Sequence, residues 1–155
     1  MIQRIHHTAL STPDLARAVA FYRDLFGFAV VREFAWPAGS KAADRLMGLA
    51  GTACRAAMLR RGDSMLEIFE FASPAPRPQP ADRPVVDHGI THVCFLVDDV
   101  EAEHARLAGA GVRFHHPPQP SGGGVFTAYG RDPDGNVFEL LEVRDLAHPV
   151  YVKRA

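Results

Sequence analysis

The chain has 155 residues, of which 47% are hydrophobic and 23% charged, a composition typical of a soluble protein with one domain or two small modules. The 17 basic and 18 acidic residues nearly balance and form no basic run, which argues against a nucleic-acid or anionic-membrane partner. No apolar run approaches the roughly 18 residues of a membrane span, and the N-terminus lacks the apolar stretch of a signal peptide. Only Cys54 and Cys94 are present, too few for a disulfide framework, so we expect a cytoplasmic protein with buried free thiols.

The first half of the chain predicts one strand, one helix and three further strands. Residues 5–10 have a strand pattern. Thr12, Pro13 and Asp14 then supply an N-cap, a first helical position and a carboxylate that favours the helix dipole. Apolar residues at helical spacing follow until Gly27, which ends the helix. Strand patterns follow over 28–34, 54–60 and 65–71.

A proline-rich segment, residues 72–87, separates the two halves. Its five prolines prevent a helix and favour extended, semi-rigid backbone. We expect a linker rather than a surface loop, because long structureless loops are uncommon inside a compact domain. The predicted organisation is therefore a module over 1–71, this linker, a second module over 88–144 and a tail over 145–155.

The second half repeats the order of the first. A strand pattern over 91–97 precedes a helix that begins with Asp98 and Glu101, in the spacing of a capping box, and that ends at Gly111. A strong turn signal over 132–136 precedes the last strand. The three later strands are predicted over 112–115, 125–129 and 137–143. Each half therefore predicts a βαβββ module, and this internal repeat is the main feature of the sequence.

The repeat selects one histidine and one glutamate in each module. His7 and His92 occupy equivalent places in the first predicted strand of their halves. The last strands, LEIFEF and FELLEV, share one pattern that places Glu67 and Glu139 at equivalent positions. An ionised carboxylate on an apolar strand face is costly unless it is paired or binds a metal, and this sequence has one in each half.

Two imidazoles and two carboxylates suggest one divalent metal, to which the modules contribute by pseudo-twofold packing. Nitrogen and oxygen ligands without thiolate suit Zn, Ni, Co, Mn or Fe(II) better than Mg or Ca. Open coordination positions would accept substrate, and Glu67 or Glu139 could act as a catalytic general base. Glu70 is an alternative to Glu67 as the ligand of the first module, and a structural role is the alternative for His7.

Two signatures frame the chain. The first runs through HTAL at 7–10 and FYRDLFGF at 21–28, and the second is DPDGN at 132–136, followed by Glu139 and Leu140. Together they resemble the vicinal-oxygen-chelate superfamily of glyoxalases, bleomycin-resistance proteins and dioxygenases. The resemblance implies an α+β fold in which two βαβββ modules form an open, cup-shaped mixed sheet. It also implies four metal ligands: His7, Glu67, His92 and Glu139.

The presence of all four ligands favours members similar to glyoxalase I or methylmalonyl-CoA epimerase, although the epimerases commonly carry Gln where Glu67 stands. The resemblance then implies a metal-dependent lyase, isomerase or epimerase that moves a proton next to a carbonyl. Its substrate would be a small molecule that chelates the metal through neighbouring oxygens. The alternatives are an Fe(II) extradiol-type dioxygenase and a non-catalytic protein that binds a small molecule such as an antibiotic.

Five further residues are candidates for contact with the substrate. Strand alternation places Phe69 and Phe71 on the face of the predicted ligands, and Cys94 and Tyr129 share the corresponding face of the second module. Trp36 lies in a stretch expected to be irregular. Ordinary packing explains these residues equally well. An exposed sheet edge favours a homodimer.

Overall fold

The computed structural model describes residues 1–152 and shows a mixed α+β fold with two sheets. The chain forms two compact units; unit 1 is Met1–Gln79, and unit 2 begins at Pro80. Unit 1 contains β1 (Thr8–Ser11), α1 (Leu15–Ala20), β2 (Ala29–Trp36), α2 (Lys41–Met47), β3 (Ala53–Arg61) and β4 (Ser64–Ser73). Unit 2 contains β5 (Val93–Leu96), α3 (Val100–Gly109), β6 (Arg113–Phe114), β7 (Gln119–Gly122), β8 (Val125–Arg131) and β9 (Val137–Val143). None of the helices within residues 1–152 has the length and hydropathy needed to cross a membrane.

The sheet of unit 1 has the strand order β1-β4-β3-β2, with β1 parallel to β4 and the other pairs antiparallel. Helix α1 continues as a π-helical segment over Phe21–Leu25 and packs against β3 and β4. Burial of apolar side chains between the helix and one face of the sheet forms the core of this unit. Its buried members include Ala18, Val19, Tyr22, Phe26, Ala57, Leu59, Leu66 and Ile68.

The sheet of unit 2 has the order β5-β9-β8-β6, and β7 pairs with β8. Strands β5 and β9, the first and last of this unit in the chain, are neighbours and run parallel, as β1 and β4 do in unit 1. They are parallel because the crossover through α3 returns the chain in the same direction. Val100 and Leu107 of α3 are fully buried, together with Phe138 and Leu140 of β9. The repeat predicted from the sequence is therefore present as two α+β units with the same arrangement of first and last strands.

Both helices begin one or two residues later than predicted. The N-cap of α1 is Asp14, whose carboxylate accepts a hydrogen bond from the backbone N–H of Arg17, whereas Thr12 is buried and accepts one from the N–H of Asp14. In unit 2 the N-cap is Asp99 instead of Asp98. In both cases the Asp with extended backbone forms the cap, since that conformation lets its side chain reach the free N–H groups of the first turn.

Two elements are absent from the sequence prediction. Helix α2 occupies part of the stretch expected to be irregular, with Ser40 as its N-cap and Gly48 in the left-handed conformation after its last residue. Strand β7 pairs with β8 and ends at Gly122. Both elements are short, and short elements carry little periodic signal.

The proline-rich segment differs from the predicted linker at both of its ends. Strand β4 continues to Ser73, so the sheet extends into this segment. Farther along, Arg131 donates a hydrogen bond to the carbonyl of Arg83 at 2.9 Å, and Gly135 approaches the backbone of Ala81 so closely that a Cβ would clash with it. The later part of the segment therefore packs within unit 2.

Candidate metal centre

Unit 1 places one predicted histidine beside one predicted glutamate. His7 lies immediately before β1 rather than within it, and Glu67 lies in the neighbouring strand β4. The Nε2 atom of His7 is 3.1 Å from Oε2 of Glu67. The Glu67 side chain is 15% exposed and that of His7 is 35% exposed, so the carboxylate is largely covered while the imidazole is accessible.

Unit 2 contains the equivalent pair. His92 immediately precedes β5, and Glu139 lies in the neighbouring strand β9. The Nε2 atom of His92 is 3.0 Å from Oε2 of Glu139, with side-chain exposures of 28% and 11%. The four predicted ligands therefore occur as two His–Glu pairs, one in each unit.

The other ring nitrogen of each histidine contacts the preceding residue. The Nδ1 atom of His92 is 2.8 Å from Oγ1 of Thr91, and the Nδ1 atom of His7 is 2.8 Å from Nδ1 of His6. These contacts fix each ring with its Nε2 atom toward the carboxylate. Metal-binding histidines typically have such a partner on the second nitrogen, because it sets the tautomer and the orientation of the ring.

The second glutamate of each last strand has a different environment. Glu70 accepts a hydrogen bond from the backbone N–H of Leu15, and Glu142 accepts one from the N–H of Val100, so each carboxylate binds the start of a helix. Arg55 also donates to Glu70. Both hydrogen bonds lower the pKa of the Glu70 carboxyl, and the one from Arg55 has the larger effect. Glu67 and Glu70 project to opposite faces of β4, because they are three residues apart and side chains alternate between the two faces of a strand.

The carboxylates of the two pairs have different neighbours. In the sheet of unit 2, Glu139 is flanked in register by Cys94 and Tyr129. The pKa of the Cys94 thiol is raised to about 12, first by desolvation of the sulfur and then by the negative charge of Glu139. Desolvation and the charge of Glu139 also raise the pKa of the Tyr129 hydroxyl. Both groups are therefore protonated donors near neutral pH. In unit 1 the corresponding positions beside the carboxylate carry no such donor: they are Ala9 and Met58.

The predicted substrate contacts divide between the units. Trp36 is the last residue of β2, not part of an irregular stretch, and its ring lies 6.3 Å from those of Phe69 and Phe71. Cys94 and Tyr129 flank the unit 2 carboxylate. Both cysteines are free, and Cys54 is buried. The expectation of a buried Cys94 is wrong because the residue as a whole is exposed, although its sulfur is partly desolvated beside Glu139.

Sequence reasoning overlooked three residues near these groups. Thr91 contacts the ring of His92, and Arg32 and Phe34 share a face of β2 with Trp36. Alternation along β2 could have identified Arg32 and Phe34, because they precede Trp36 by four and two residues. The contact of Thr91 depends on side-chain rotamers and carries no sequence signal.

An acidic group on unit 2 has a structural explanation. Carboxylate oxygens of Asp99, Glu101 and Glu142 lie within 4.8 Å of one another. Arg144 donates to both glutamates, and the N-terminal turn of α3 donates to Asp99 and Glu142. The group therefore has counter-charge and hydrogen-bond donors from the protein itself.

The donors of the two His–Glu pairs fit a divalent transition metal. Two ligands at right angles, each about 2.1 Å from an ion, are about 3.0 Å apart, and the pairs are 3.1 Å and 3.0 Å apart. Imidazole nitrogen with carboxylate oxygen suits Zn, Ni, Co, Mn or Fe(II).

Residues 4–140 match the family model of the Glyoxalase/Bleomycin resistance protein/Dioxygenase superfamily, and the chain belongs to this superfamily. It is 33% identical over 147 residues to a 2-epi-5-epi-valiolone epimerase from Actinomyces sp., which covers 90% of this chain and 79% of that protein. It is also 31% identical over 142 residues to the uncharacterized protein YaeR of Escherichia coli K12, covering 91% and 97% of the two chains.

A solved structure shows the same fold. The crystal structure of a glyoxalase family protein from Bacillus cereus superposes with a TM-score of 0.81 at 22% identity, covering 92% of this chain and 95% of that one. This similarity confirms the fold, and the family model confirms the superfamily, that the two sequence signatures imply.

Proposed function

We propose that the chain is a divalent-metal-dependent enzyme that moves a proton next to a carbonyl of a small substrate with neighbouring oxygens. The observation that carries the proposal is the His–Glu pair found at equivalent places in both units, 3.1 Å and 3.0 Å apart. Similarity to an epimerase supports this class of reaction, because an epimerase inverts one stereocentre and the simplest route is removal and return of a proton.

We assign the metal ligands to both pairs. The sequence repeat supports the assignment of His7, Glu67, His92 and Glu139 to one ion, since each module supplies the same two donors. When bound, such an ion polarises a carbonyl oxygen and acidifies the adjacent C–H bond. The carboxylates of Glu67 and Glu139 then balance its charge.

Glu67 and Glu139 are the candidate bases. One of these carboxylates takes the proton from the carbon next to the carbonyl. A proton is then supplied to the opposite face of that carbon by the other glutamate, which holds one as a carboxylic acid, or the same carboxylate returns its proton to the neighbouring atom. The first outcome is an epimerisation and the second an isomerisation, and neither needs an oxidant or a second substrate. Positioned acid–base catalysis of this kind contributes roughly 10²–10⁴-fold to a rate.

Exchange of carbon-bound hydrogen in D₂O tests the proposal with simple model substrates. Metal-loaded protein is incubated with a panel of 2-hydroxyketones, including dihydroxyacetone and 2-hydroxycyclohexanone, and proton NMR follows loss of the signal next to the carbonyl. We expect exchange that needs the metal and that falls at least roughly a hundredfold in E139Q or E67Q. E33Q is the matched control, because Glu33 is an exposed glutamate of β2 outside both pairs.

Two results would count against the proposal. Equal exchange and equal metal content in the wild type, E139Q and E67Q would remove both proposed roles of the glutamates. Oxygen uptake with catechols by the Fe(II)-loaded protein, without any exchange on the 2-hydroxyketones, would replace it with the ring-cleaving dioxygenase.

A further inference from the structure

The unit 1 sheet carries an aromatic cluster on the face of Glu67. Across this sheet, Ala56 pairs with both Phe34 and Phe69, and Cys54 pairs with both Trp36 and Phe71. Residues opposite one another in neighbouring strands project to the same side. The four rings therefore form two adjacent rows next to the row that contains Glu67. We call Phe34, Trp36, Phe69 and Phe71 the aromatic wall.

The rings of the aromatic wall contact one another in a regular way. Phe69 stacks on Phe71 with centroids 5.5 Å apart, and Phe34 stacks on Trp36 at 6.2 Å. Edge-to-face contacts near 6.3 Å join the two stacks. All four residues remain partly exposed. The wall therefore presents an apolar surface of ring edges and faces against which another ring could pack.

A polar network centred on the buried Thr52 holds Trp36 in this position. Its indole N–H donates to the hydroxyl of Thr52 at 3.1 Å, and Thr52 is fully buried. That hydroxyl donates in turn to Asp44 of α2 at 2.8 Å, and the same carboxylate accepts the backbone N–H groups of Gly51 and Thr52. These donors lower the pKa of the Asp44 carboxyl, which stays ionised and keeps the network intact. Helix α2 thus fixes one end of the wall.

A cation lies at the edge of the wall. Arg32 pairs in register with Met58, which pairs with Glu67, so the three residues form one row across the sheet. The guanidinium of Arg32 lies 5.3 Å from the centroid of the Phe34 ring. Arg32 is exposed and takes part in no ion pair with the residues described by the structure. A guanidinium beside an aromatic surface is suited to bind a carboxylate or a phosphate.

Packing explains part of this arrangement, because Ala56 and Cys54 lie in the same rows as the four rings and are buried. The side chains that pack under α1, such as Leu66 and Ile68, lie on the opposite face of the sheet. In the described part of unit 2, the corresponding edge strand β6 has two residues whereas β2 has eight, so β6 cannot carry counterparts of both Phe34 and Trp36. The wall, the network and the cation all lie in unit 1, beside one of the two candidate catalytic carboxylates.

We propose that this face is a substrate subsite, in which Arg32 binds an anionic group and the aromatic wall binds a flat ring attached to it. The inference deepens the proposed function, on which it rests, by naming the substrate class: ring compounds that carry a carboxylate or a phosphate. Arg32 and Phe34 become specificity-determining residues, since they select among compounds that share the same neighbouring oxygens.

Trp36 provides a direct probe because it is the only tryptophan of the chain. The full-length, chelator-treated protein is titrated with phenyl phosphate and with phenylacetate, and tryptophan emission is followed. Benzyl alcohol supplies the ring without the charge, and inorganic phosphate supplies the charge without the ring. We expect saturable changes in emission with one or both of the anionic ring compounds. Benzyl alcohol and inorganic phosphate should each bind at least roughly tenfold more weakly than the better of these compounds. The stronger anionic probe identifies the group that Arg32 prefers.

Three variants assign the charge contact. R32Q should weaken binding of the anionic ring compounds roughly tenfold or more, whereas R32K, which keeps the charge, should lose less. R17Q removes the same charge from helix α1, on the opposite face of the sheet, and should bind as the wild type does. Far-UV circular dichroism verifies that each variant is folded.

Two outcomes would overturn the subsite. One is the absence of any saturable change with both anionic ring compounds, and the other is equal binding by the wild type and folded R32Q. Because the metal is removed in this experiment, failure here leaves metal binding and proton exchange intact. Failure of those two tests would in turn leave the binding data intact.

Discussion

At the scale of single residues, each pair depends on a contact that the preceding residue makes with the histidine. Thr91 reaches Nδ1 of His92, and His6 reaches Nδ1 of His7, both at 2.8 Å. With Nδ1 occupied, the Nε2 atom is directed toward the glutamate. The two partners differ in chemistry, because a threonine hydroxyl can donate or accept while an imidazole nitrogen does one or the other according to its tautomer.

Substitution of Thr91 tests this positioning role. T91V keeps the shape of the side chain but loses the hydroxyl, so the ring of His92 is less constrained. We expect metal affinity to fall roughly 10- to 100-fold, measured by competition with a chromophoric chelator. T91S retains the hydroxyl and should bind metal almost as the wild type does. Equal affinity of T91V and the wild type would show that the Thr91 contact does not position the ring.

Sequence could predict some of the residues of the site and not others. Glu67 and Glu139 follow from strand alternation and the repeat, because a carboxylate among apolar neighbours stands out in a pattern of period two. Thr91 does not stand out, since a polar residue on an exposed surface is ordinary and its contact with His92 exists only in three dimensions.

At the scale of elements, the second glutamate of each last strand ties that strand to the helix of its unit. Glu70 binds the first turn of α1 and Glu142 that of α3, each with an arginine as a further partner. The negative charge lies at the positive end of the helix, where it is stabilising. The twofold Glu-x-x-Glu pattern therefore contains one candidate ligand and one helix anchor per unit.

The pH dependence of stability separates these two roles. The folded-state pKa of Glu70 is below its unfolded value, so its contribution to stability is complete above the unfolded pKa, near 4.3, and is lost as pH falls through the folded pKa. E70Q should lower the free energy of unfolding by about 1 kcal/mol at pH 7, and the difference from the wild type should shrink in acid. Urea unfolding at several pH values measures it. E33Q, which alters an exposed glutamate, should show no such difference; a constant gap for E70Q at every pH would contradict the anchor.

The prediction of helices and strands is accurate where the periodic pattern of buried residues is clear. The strand predicted over 137–143 is β9 as observed, and the first helix ends before Gly27 as expected. Helix α2 was overlooked although Ser40 and Gly48 are good start and stop signals, because its seven residues show no buried face to produce a period. Local signals of this kind gain meaning only when the packing of the element is known.

At the scale of the whole molecule, the sequence repeat is the basis of the functional account. A divalent ion with two imidazoles and two carboxylates needs donors from both modules, whereas each unit by itself supplies one nitrogen and one oxygen. Superfamily membership and the fold followed from the two signatures at the ends of the chain. The substrate could not follow from them, because the walls of a site vary more than its ligands within one superfamily.

Metal content per chain shows whether the two His–Glu pairs share one ion. Protein purified without chelator is analysed for bound elements as the wild type, H7A and H92A, with H88A as a control at an exposed histidine outside both pairs. We expect one divalent ion per chain in the wild type and H88A, and loss of nearly all of it in H7A and in H92A. This prediction holds whether the pairs that share an ion come from one chain or from two. Two ions per chain, with each variant losing only one, or metal content that neither substitution changes, would contradict it.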